Sequence, residues 1–343
     1  KVLIEKDTII ELKTTDESGW IHFMADLPIS AKYYLKEIYA PNGYVRGTET
    51  QEFTFEYQGD KTTQAVYEFT FEDVQTSVEL SKADLTDGKE LPGASLQVLD
   101  STGTVVEEWI STEEPHMIRG LLVGETYTLV ETKPADGYTT AESIEFKVED
   151  TAEVQKHQML DDVTKVEISK TDVTDSKEIP GAKLTILDKD GKVVESWVSD
   201  KDPHMVEKLP VGTYTLREEQ APDGYLVAEE VSFEVKDTGE IQKVEMKDDY
   251  TKMEISKKDL VSGKELPGAT LQIKDSAGNV IYEWVSTDQP HYVEYLPVGD
   301  YVLTETIAPE GYKVAQDVPF TVLETGEVQQ VKMKDEPVIG KVT

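Results

Sequence analysis

The chain repeats one sequence three times, at a spacing close to the size of a small domain. A stretch that begins at Val78 recurs at Val166 and at Met253, 88 and then 87 residues further on. The copies read VELSKADLTDGKELPGASLQVLD, VEISKTDVTDSKEIPGAKLTILD and MEISKKDLVSGKELPGATLQIKD. Helical and leucine-rich repeats have units of only about 20 to 50 residues. The spacing therefore predicts a tandem array of similar independent domains.

The repeats divide the chain into four expected modules, at 1–76, 77–164, 165–251 and 252–343. The last includes a short C-terminal extension. The first corresponds only to the later part of a module, because Leu27–Ser30 aligns with Leu209–Gly212. The opening strand of that module would fall before residue 1, so we expect an N-terminally truncated copy.

Within each module the sequence signals are those of β-strands. Apolar and polar residues alternate with a period of two, and no stretch keeps a helical period. Pro-Gly pairs such as Pro180-Gly181 are typical of type II turns. About seven strands per module predict an all-β fold of tandem Greek-key β-sandwiches, immunoglobulin-like or transthyretin-like. Joints such as Tyr250–Thr251 leave almost no linker, so we expect a stiff, monomeric rod.

Composition excludes several classes of function. The formal net charge of −35 argues against nucleic acid and anionic membranes as partners, because both would repel the chain. The chain contains no cysteine, so disulfides and thiolate metal sites are excluded. No apolar run is long enough to span a bilayer. We also find no motif for an enzyme that acts on an external substrate.

We expect no cofactor and no metal site. Each full module has one Pro-His pair, but a metal site needs several convergent ligands, so we interpret the pair as a structural turn. The histidines of these pairs are His116, His204 and His291. The stretch Asp188–Gly191 resembles the start of a calcium loop but lacks the later glutamate, which favours a hairpin turn.

Each full module places a lysine, a glutamate and an aspartate on the apolar face of a strand. In the third module Lys170 continues the inward stripe of its strand, and Glu218 and Asp248 do the same on two later strands. The equivalents are Lys82, Glu131 and Asp161 in the second module and Lys257, Glu305 and Asp335 in the fourth. First and last strands of a Greek-key sandwich can be neighbours, so a contact between lysine and aspartate is expected.

Two interpretations of these residues remain open at this point. Buried charges are costly unless paired, so the three could form a structural salt bridge, or they could emerge at strand ends. Alternatively, burial favours neutral forms, and a neutral lysine amine could attack the aspartate carboxyl while a protonated glutamate polarises it. Loss of water would then leave an amide crosslink. The adjacent Asp162 and Asp249 face outward by strand period and are weaker candidates.

The motifs resemble those of a known family. The stretch YVLTETIAPEGY, Tyr301–Tyr312, has counterparts in all four modules and resembles the E-box of Gram-positive pilins. The opening V-x-I-S-K-x-D, the L-P-G-A turn and the closing M-K-D resemble the collagen-adhesin B-type domain, also called CnaB or SpaA-type. This resemblance covers three full modules and the later part of a fourth. It implies a prealbumin-like sandwich with a spontaneous intramolecular isopeptide bond.

The resemblance also implies roles for individual residues. The crosslinking lysines would be Lys82, Lys170 and Lys257, the acceptors Asp161, Asp248 and Asp335, and the promoting E-box glutamates Glu131, Glu218 and Glu305. Many family members use asparagine and lose ammonia, whereas this chain has aspartate throughout and would lose water. In the first module Glu37 and Asp73 match, but Lys6 does not fit the spacing, so we expect no bond there.

For function, the resemblance implies the structural stalk of a Gram-positive adhesin or pilin-like protein, extracellular and attached to the cell wall. Its expected partners are an N-terminal head domain and a C-terminal cell-wall anchor outside this chain. The only catalysis implied is one self-directed reaction per module, so the protein is not an enzyme in the usual sense. The alternative is that the repeats themselves bind a host matrix protein or a glycan. Near-identical repeats without divergent long loops favour the stalk.

Overall fold

The computed structural model describes residues 4–59 and 66–339. The regular secondary structure of these residues consists of β-strands. The same residues contain no helix that could cross a membrane. The chain divides into two compact units. The first takes in Lys1–Ala83, Lys89–Thr132 and Glu142–Met159, and the second takes in Asp84–Gly88, Lys133–Ala141 and Leu160–Thr343.

The described part of residues 4–76 contains four short strands, β1 (Lys32–Lys36), β2 (Tyr44–Val45), β3 (Thr50–Thr54) and β4 (Val74–Gln75). Strand β1 pairs antiparallel with β3, and β2 pairs antiparallel with β4. Tyr33 is 9% exposed and packs on Phe53, with ring centroids 5.6 Å apart. This aromatic contact provides the small core of the stretch.

The remaining described chain contains three sets of seven strands. The first set is β5 (Ser77–Asp84), β6 (Ser95–Leu99), β7 (Val105–Ile110), β8 (His116–Arg119), β9 (Thr126–Lys133), β10 (Ile144–Lys147) and β11 (Gln155–Asp161). The second set is β12 (Lys165–Asp172), β13 (Lys183–Leu187), β14 (Val193–Val198), β15 (His204–Glu207), β16 (Gly212–Gln220), β17 (Val231–Val235) and β18 (Ile241–Asp248). The third set is β19 (Lys252–Asp259), β20 (Thr270–Asp275), β21 (Val280–Val285), β22 (His291–Glu294), β23 (Gly299–Ile307), β24 (Val318–Val322) and β25 (Val328–Asp335).

Each set forms the same pair of sheets. The second, third, fifth and sixth strands make a four-stranded sheet, and the first, fourth and seventh make a three-stranded sheet. The turn that leads into the second strand has the predicted form, because Gly181 has a φ of 98° and Gly268 a φ of 94°, as a type II turn requires. The predicted all-β tandem sandwich is therefore confirmed.

The core of each later set lies between its two sheets. In the set β19–β25, Met253 and Ile255 of the three-stranded sheet join Leu271 and Leu303 of the four-stranded sheet in one buried cluster. All four are at most 2% exposed. Full burial of such a side chain stabilises the fold by about 1.5–3 kcal/mol. Strand alternation therefore decides which residues point into the core.

The first and last strands of these sets are parallel neighbours. Strand β12 pairs with β18 so that Lys170 lies opposite Met246, and β19 pairs with β25 so that Lys257 lies opposite Met333. Two residues further along β18, Asp248 is on the same face of the sheet as Met246. This register brings the first-strand lysine and the last-strand aspartate to one end of the core.

One core position differs between the sets in a way that predicts acid sensitivity. His157 of β11 occupies the position of Val244 and Val331, stacks on Phe146 at 4.7 Å, and has a buried Nε2 without a hydrogen-bond partner among the described residues. Burial lowers the pKa of His157. The folded state therefore binds its proton less well than the unfolded state, and stability is lost as pH falls below about 6.5.

We expect hydrogen-exchange protection of β11, corrected for intrinsic rates, to fall between pH 7.5 and pH 5 more than protection of β18. His157→Val should abolish this difference. The matched change Val244→His should create the same acid sensitivity in β18. An acid loss in β11 that persists in His157→Val would show that another group causes it.

Candidate functional site

The structure brings together the three predicted residues of the third module. Lys170, Glu218 and Asp248 are 1%, 4% and 0% exposed. The Lys170 Nζ lies 3.0 Å from Glu218 Oε2 and donates a hydrogen bond to Asp248 Oδ1. One amine therefore contacts two carboxyl groups in a space closed to water.

The fourth module repeats this arrangement. Lys257, Glu305 and Asp335 are at most 3% exposed. The Lys257 Nζ lies 2.8 Å from Glu305 Oε1 and donates a hydrogen bond to Asp335 Oδ1. The same three side-chain types meet at the same place in a second core.

In the second module, the Lys82 Nζ lies 2.8 Å from Glu131 Oε1. These side chains are 2% and 5% exposed as residues, and Asp161, at the end of β11, is 1% exposed. The backbone N–H of Lys82 also donates to the Glu90 carboxylate at 3.2 Å. All three predicted residues of this module are thus buried.

The glutamate reaches the other two residues from the opposite sheet. Glu218 lies on β16 opposite Leu184, beside a register shift between Lys183 and Leu184. Such bulges redirect side chains. Its Oε2 accepts a hydrogen bond from the Ala228 N–H at 2.7 Å, and Glu305 Oε2 accepts one from Ala315 at 2.6 Å. Each glutamate is therefore held by a backbone donor as well as by the lysine.

Sequence reasoning missed this backbone donor, although a signal for it exists. A small residue follows each E-box glutamate after ten positions, as Ala141, Ala228 and Ala315 in the full modules and Gly47 in the first. In the first module the Gly47 N–H donates to Glu37 Oε2 at 2.5 Å. The recurring small residue marks where the following loop approaches the glutamate.

The electrostatics of the site favour a neutral aspartate. Burial, which Lys170 opposes only in part and the adjacent Glu218 reinforces, raises the pKa of Asp248 to about 7. Burial likewise raises the pKa of Asp335. Glu218 Oε1 and Asp248 Oδ2 are buried and have no hydrogen-bond partner among the described residues. A proton held between the two carboxyl groups would satisfy both oxygens.

The weaker sequence candidates have other surroundings. Asp162 contacts Lys165 at 2.8 Å, and Asp249 contacts Lys252 at 2.7 Å, in partly exposed ion pairs. In the first module, Asp73 is exposed, and no ion pair between Glu37 and a lysine occurs within residues 4–59 and 66–339. A buried lysine amine in contact with both carboxyl groups is therefore seen in the third and fourth modules.

The histidines of the Pro-His pairs pack against tryptophans. The His116 ring stacks on Trp109 at 4.3 Å, and its Nε2 lies 3.0 Å from Glu107 Oε1. His204 stacks on Trp197 at 4.4 Å in the same way. Each of these histidines begins a strand and fixes it against its neighbour, which is a structural contact.

Comparison with known families decides the classification. Four stretches, 2–68, 76–162, 164–250 and 251–337, match the SpaA family, a prealbumin-like fold domain. The chain belongs to the SpaA prealbumin-like family. The four SpaA matches confirm the predicted family resemblance.

Solved structures include similar chains. The Bacillus anthracis TIE protein is 27% identical over 77% of this chain and 52% of its own, with a TM-score of 0.44. This chain thus spans about half the length of that protein. BcpA, the major pilin subunit of Bacillus cereus, is 17% identical over 77% of this chain and 99% of its own, with a TM-score of 0.32. The pilus adhesin SpaC from Lactobacillus rhamnosus GG is 13% identical over 90% of this chain and 49% of its own, with a TM-score of 0.36.

A search among curated proteins found no match. At the TM-scores given above, none of the solved structures decides the function.

The raised pKa of Asp248 predicts how a variant without the lysine responds to pH. In Lys170→Met, the group that opposes the shift is gone, so burial and Glu218 should raise the pKa of Asp248 further. A pKa that is higher in the folded state gives stability that is present below about pH 4 and is lost as pH rises through the folded value.

We expect Lys170→Met to be less stable at pH 8 than at pH 5 by at least about 1.4 kcal/mol, the equivalent of one pKa unit. Urea denaturation followed by hydrogen exchange of the β12 and β18 amides would measure this. The control Lys170→Met/Glu218→Gln/Asp248→Asn replaces both carboxyl groups of the site and should lose the pH dependence. Equal stability of Lys170→Met at both pH values would contradict the expected charge state.

Proposed function

We propose that this chain is the structural stalk of a Gram-positive adhesin or pilin-like surface protein, stiffened by Lys–Asp isopeptide bonds. The observation that supports the proposal is the buried lysine in contact with a glutamate and an aspartate in the third and fourth modules. The proposed crosslinks are Lys82–Asp161, Lys170–Asp248 and Lys257–Asp335, promoted by Glu131, Glu218 and Glu305.

The proposed reaction is a condensation that needs no external reagent. The Lys170 ammonium transfers a proton to the carboxyl pair, so that a neutral amine faces two neutral carboxyl groups. The Lys170 Nζ attacks Asp248 Cγ, a C–N bond forms, and Glu218 donates a proton to the aspartate oxygen. One proton of the attacking nitrogen then passes to an aspartate hydroxyl, the C–O bond breaks and one water leaves. The remaining oxygen returns its proton to Glu218, which is again a neutral carboxyl group, and an amide is left.

The site supplies the conditions for this step. Its exclusion of water favours the neutral forms of amine and carboxyl, and the pKa of Asp248, raised to about 7, makes its protonated form accessible near neutral pH. The backbone hydrogen bond from Ala228 holds Glu218 in place. The three groups are therefore positioned before the reaction, which removes most of the entropic cost of their meeting.

The proposed bond would serve a stalk in two ways. Lys170 and Asp248 are 78 residues apart, so the bond closes nearly the whole module in one loop. By the chain-entropy relation for crosslinks, such a loop stabilises the fold by roughly 4–5 kcal/mol. The first and last strands are also where the chain enters and leaves the module. A pull on the chain would then pass through covalent bonds and bypass the interior strands.

Further features support a stalk that is extracellular and attached to the cell wall. A net charge of −35 keeps an exposed protein solvated, and a chain without cysteine gains crosslinks that do not depend on redox conditions. We propose modules at 1–76, 77–164, 165–251 and 252–343, which the four family matches support. A head domain and a cell-wall anchor beyond this chain complete the proposal.

Intact-mass analysis tests the crosslinks directly. We expect the full chain to be lighter than its sequence by about 54 Da, the mass of three waters lost in three condensations. Glu218→Gln keeps the shape of the side chain but removes its acidic proton, so the deficit should shrink by about 18 Da. Glu219→Gln changes the exposed neighbour and should leave the deficit unchanged. A mass equal to the unmodified chain would refute the proposed chemistry.

Single-molecule stretching tests the mechanical role. In the parent chain the 78-residue loop between Lys170 and Asp248 should stay closed under force. Glu218→Gln should add one unfolding event that lengthens the chain by about 260 Å, because an extended residue spans about 3.4 Å. Glu219→Gln is again the matched control. The first module, where no bond is expected, gives one event of similar length in every variant, so any additional event of this length in the parent chain would show that a full module is not crosslinked.

A further inference from the structure

In the first three modules, the glycine of the E-box turn contacts the following module. Gly137 and Gly224 are buried, and a Cβ on either would collide with the backbone carbonyl of Lys208 or Tyr295. Gly43 meets the carbonyl of Gly120 in the same way. No side chain can be added at these positions without moving the next module, so the contact is close and specific.

The residue that the glycine meets has a left-handed backbone. Lys208 has a φ of 62° and Tyr295 a φ of 59°, which is uncommon for residues with a side chain. The N–H of Lys208 donates to the Thr164 carbonyl, and that of Tyr295 donates to the Thr251 carbonyl, both at 3.0 Å. These bonds fix the left-handed residue against the joint between two modules.

The side chain of the left-handed residue reaches back to an aspartate of the preceding module. Tyr138 donates to Asp84 at 2.7 Å, and the Lys208 ammonium donates to the Tyr138 hydroxyl at 2.6 Å and to Asp84 at 3.2 Å. At the next joint, Tyr295 donates to Asp172 at 3.0 Å. Each of these modules therefore packs against a glycine, a tyrosine and an aspartate of the module before it.

The fourth module carries the same three residues, but no left-handed residue of another module is described against its glycine. Tyr312 donates to Asp259 at 2.9 Å, and the Val338 N–H donates to the Gly311 carbonyl at 2.8 Å, as Thr251 does to Gly224. Gly311 is exposed, and no described atom lies within 4 Å of a Cβ built on it. Val338 is 57% exposed, whereas Thr164 and Thr251 are fully buried.

We propose that Gly311, Tyr312 and Asp259 form a docking surface for a further β-sandwich module of this family. The occupant would present a left-handed residue whose carbonyl lies on Gly311 and whose side chain donates a hydrogen bond to Asp259. The two joints within the chain that are built from the same residues support this choice. The first module of a second copy fits poorly, because Asp26 aligns with Lys208 and would bring a carboxylate to Asp259.

This proposal depends on surface packing and not on the proposed crosslinks, so either can fail alone. The test appends a copy of residues 252–337 directly after Val338 in the full chain. The chain has no cysteine, so spin labels can be placed at single engineered cysteines. One label pair, Ser276→Cys and its counterpart in the copy, spans the new joint. The pair Lys189→Cys and Ser276→Cys spans the existing joint in the chain without the copy.

We expect the distance distribution across the new joint to be as narrow as that across the existing one. Gly311→Asn should broaden it at least about twofold, toward the behaviour of a flexible linker. Asparagine tolerates the left-handed backbone, so the change adds a side chain without breaking the turn. Gly224→Asn is the matched control at the existing joint and should broaden that distribution equally.

A second variant tests the hydrogen bond without touching the glycine. Tyr295→Phe in the appended copy removes the donor to Asp259 and should broaden the new distribution less than Gly311→Asn does. The proposal is overturned if the new joint is already as broad as in Gly311→Asn. It is also overturned if Gly311→Asn leaves the new joint unchanged while Gly224→Asn broadens the existing one.

Discussion

The third and fourth modules depend on the burial of one lysine amine between two carboxyl groups at the end of the core. Removing one partner of a buried ion pair typically costs about 3–5 kcal/mol, because the other is left uncompensated. The contact therefore constrains the parallel pairing of β12 with β18, which sets Lys170 opposite Met246 and places Asp248, two residues further along, within reach of the Lys170 Nζ. It also constrains the four-stranded sheet, whose bulge and backbone donor direct Glu218 across the core. The packing of the two sheets and the geometry of the lysine–carboxyl contact therefore depend on each other.

Strand alternation was enough to predict that the residues of this contact face the core. Lys170, Glu218 and Asp248 each continue an apolar stripe, and period-two geometry then places them in the core. The expected Greek-key fold allowed β12 and β18 to be neighbours, but the sequence could not show their parallel direction or their register, because pairing between distant strands has no local signal. The Ala228 N–H was missed for a similar reason: a backbone donor in a loop leaves only a small residue as its trace.

The joints between modules were the least predictable part. The short connection at Tyr250–Thr251 was evident, but the left-handed backbone of Lys208 and Tyr295 was not, since neither is a residue type that favours it. The E-box segment takes part both in the core of its own module and in the joint to the next module. Its glutamate enters the core of its own module, and seven residues later its tyrosine lies at the joint, so one strand and turn serve both contacts.

The two contacts differ in how much variation they allow. The core lysine and carboxyls are the same in all three full modules, whereas the left-handed residue is Gly120, Lys208 or Tyr295. Burial explains the difference. The Lys208 side chain is 53% exposed, and hydrogen bonds at such positions contribute about 1 kcal/mol, so a lysine can be exchanged for a tyrosine at little cost. A change at Lys170, which is 1% exposed, leaves two carboxyl groups buried without a counter-charge. The interior thus fixes each module, while the joints can vary in strength along the chain.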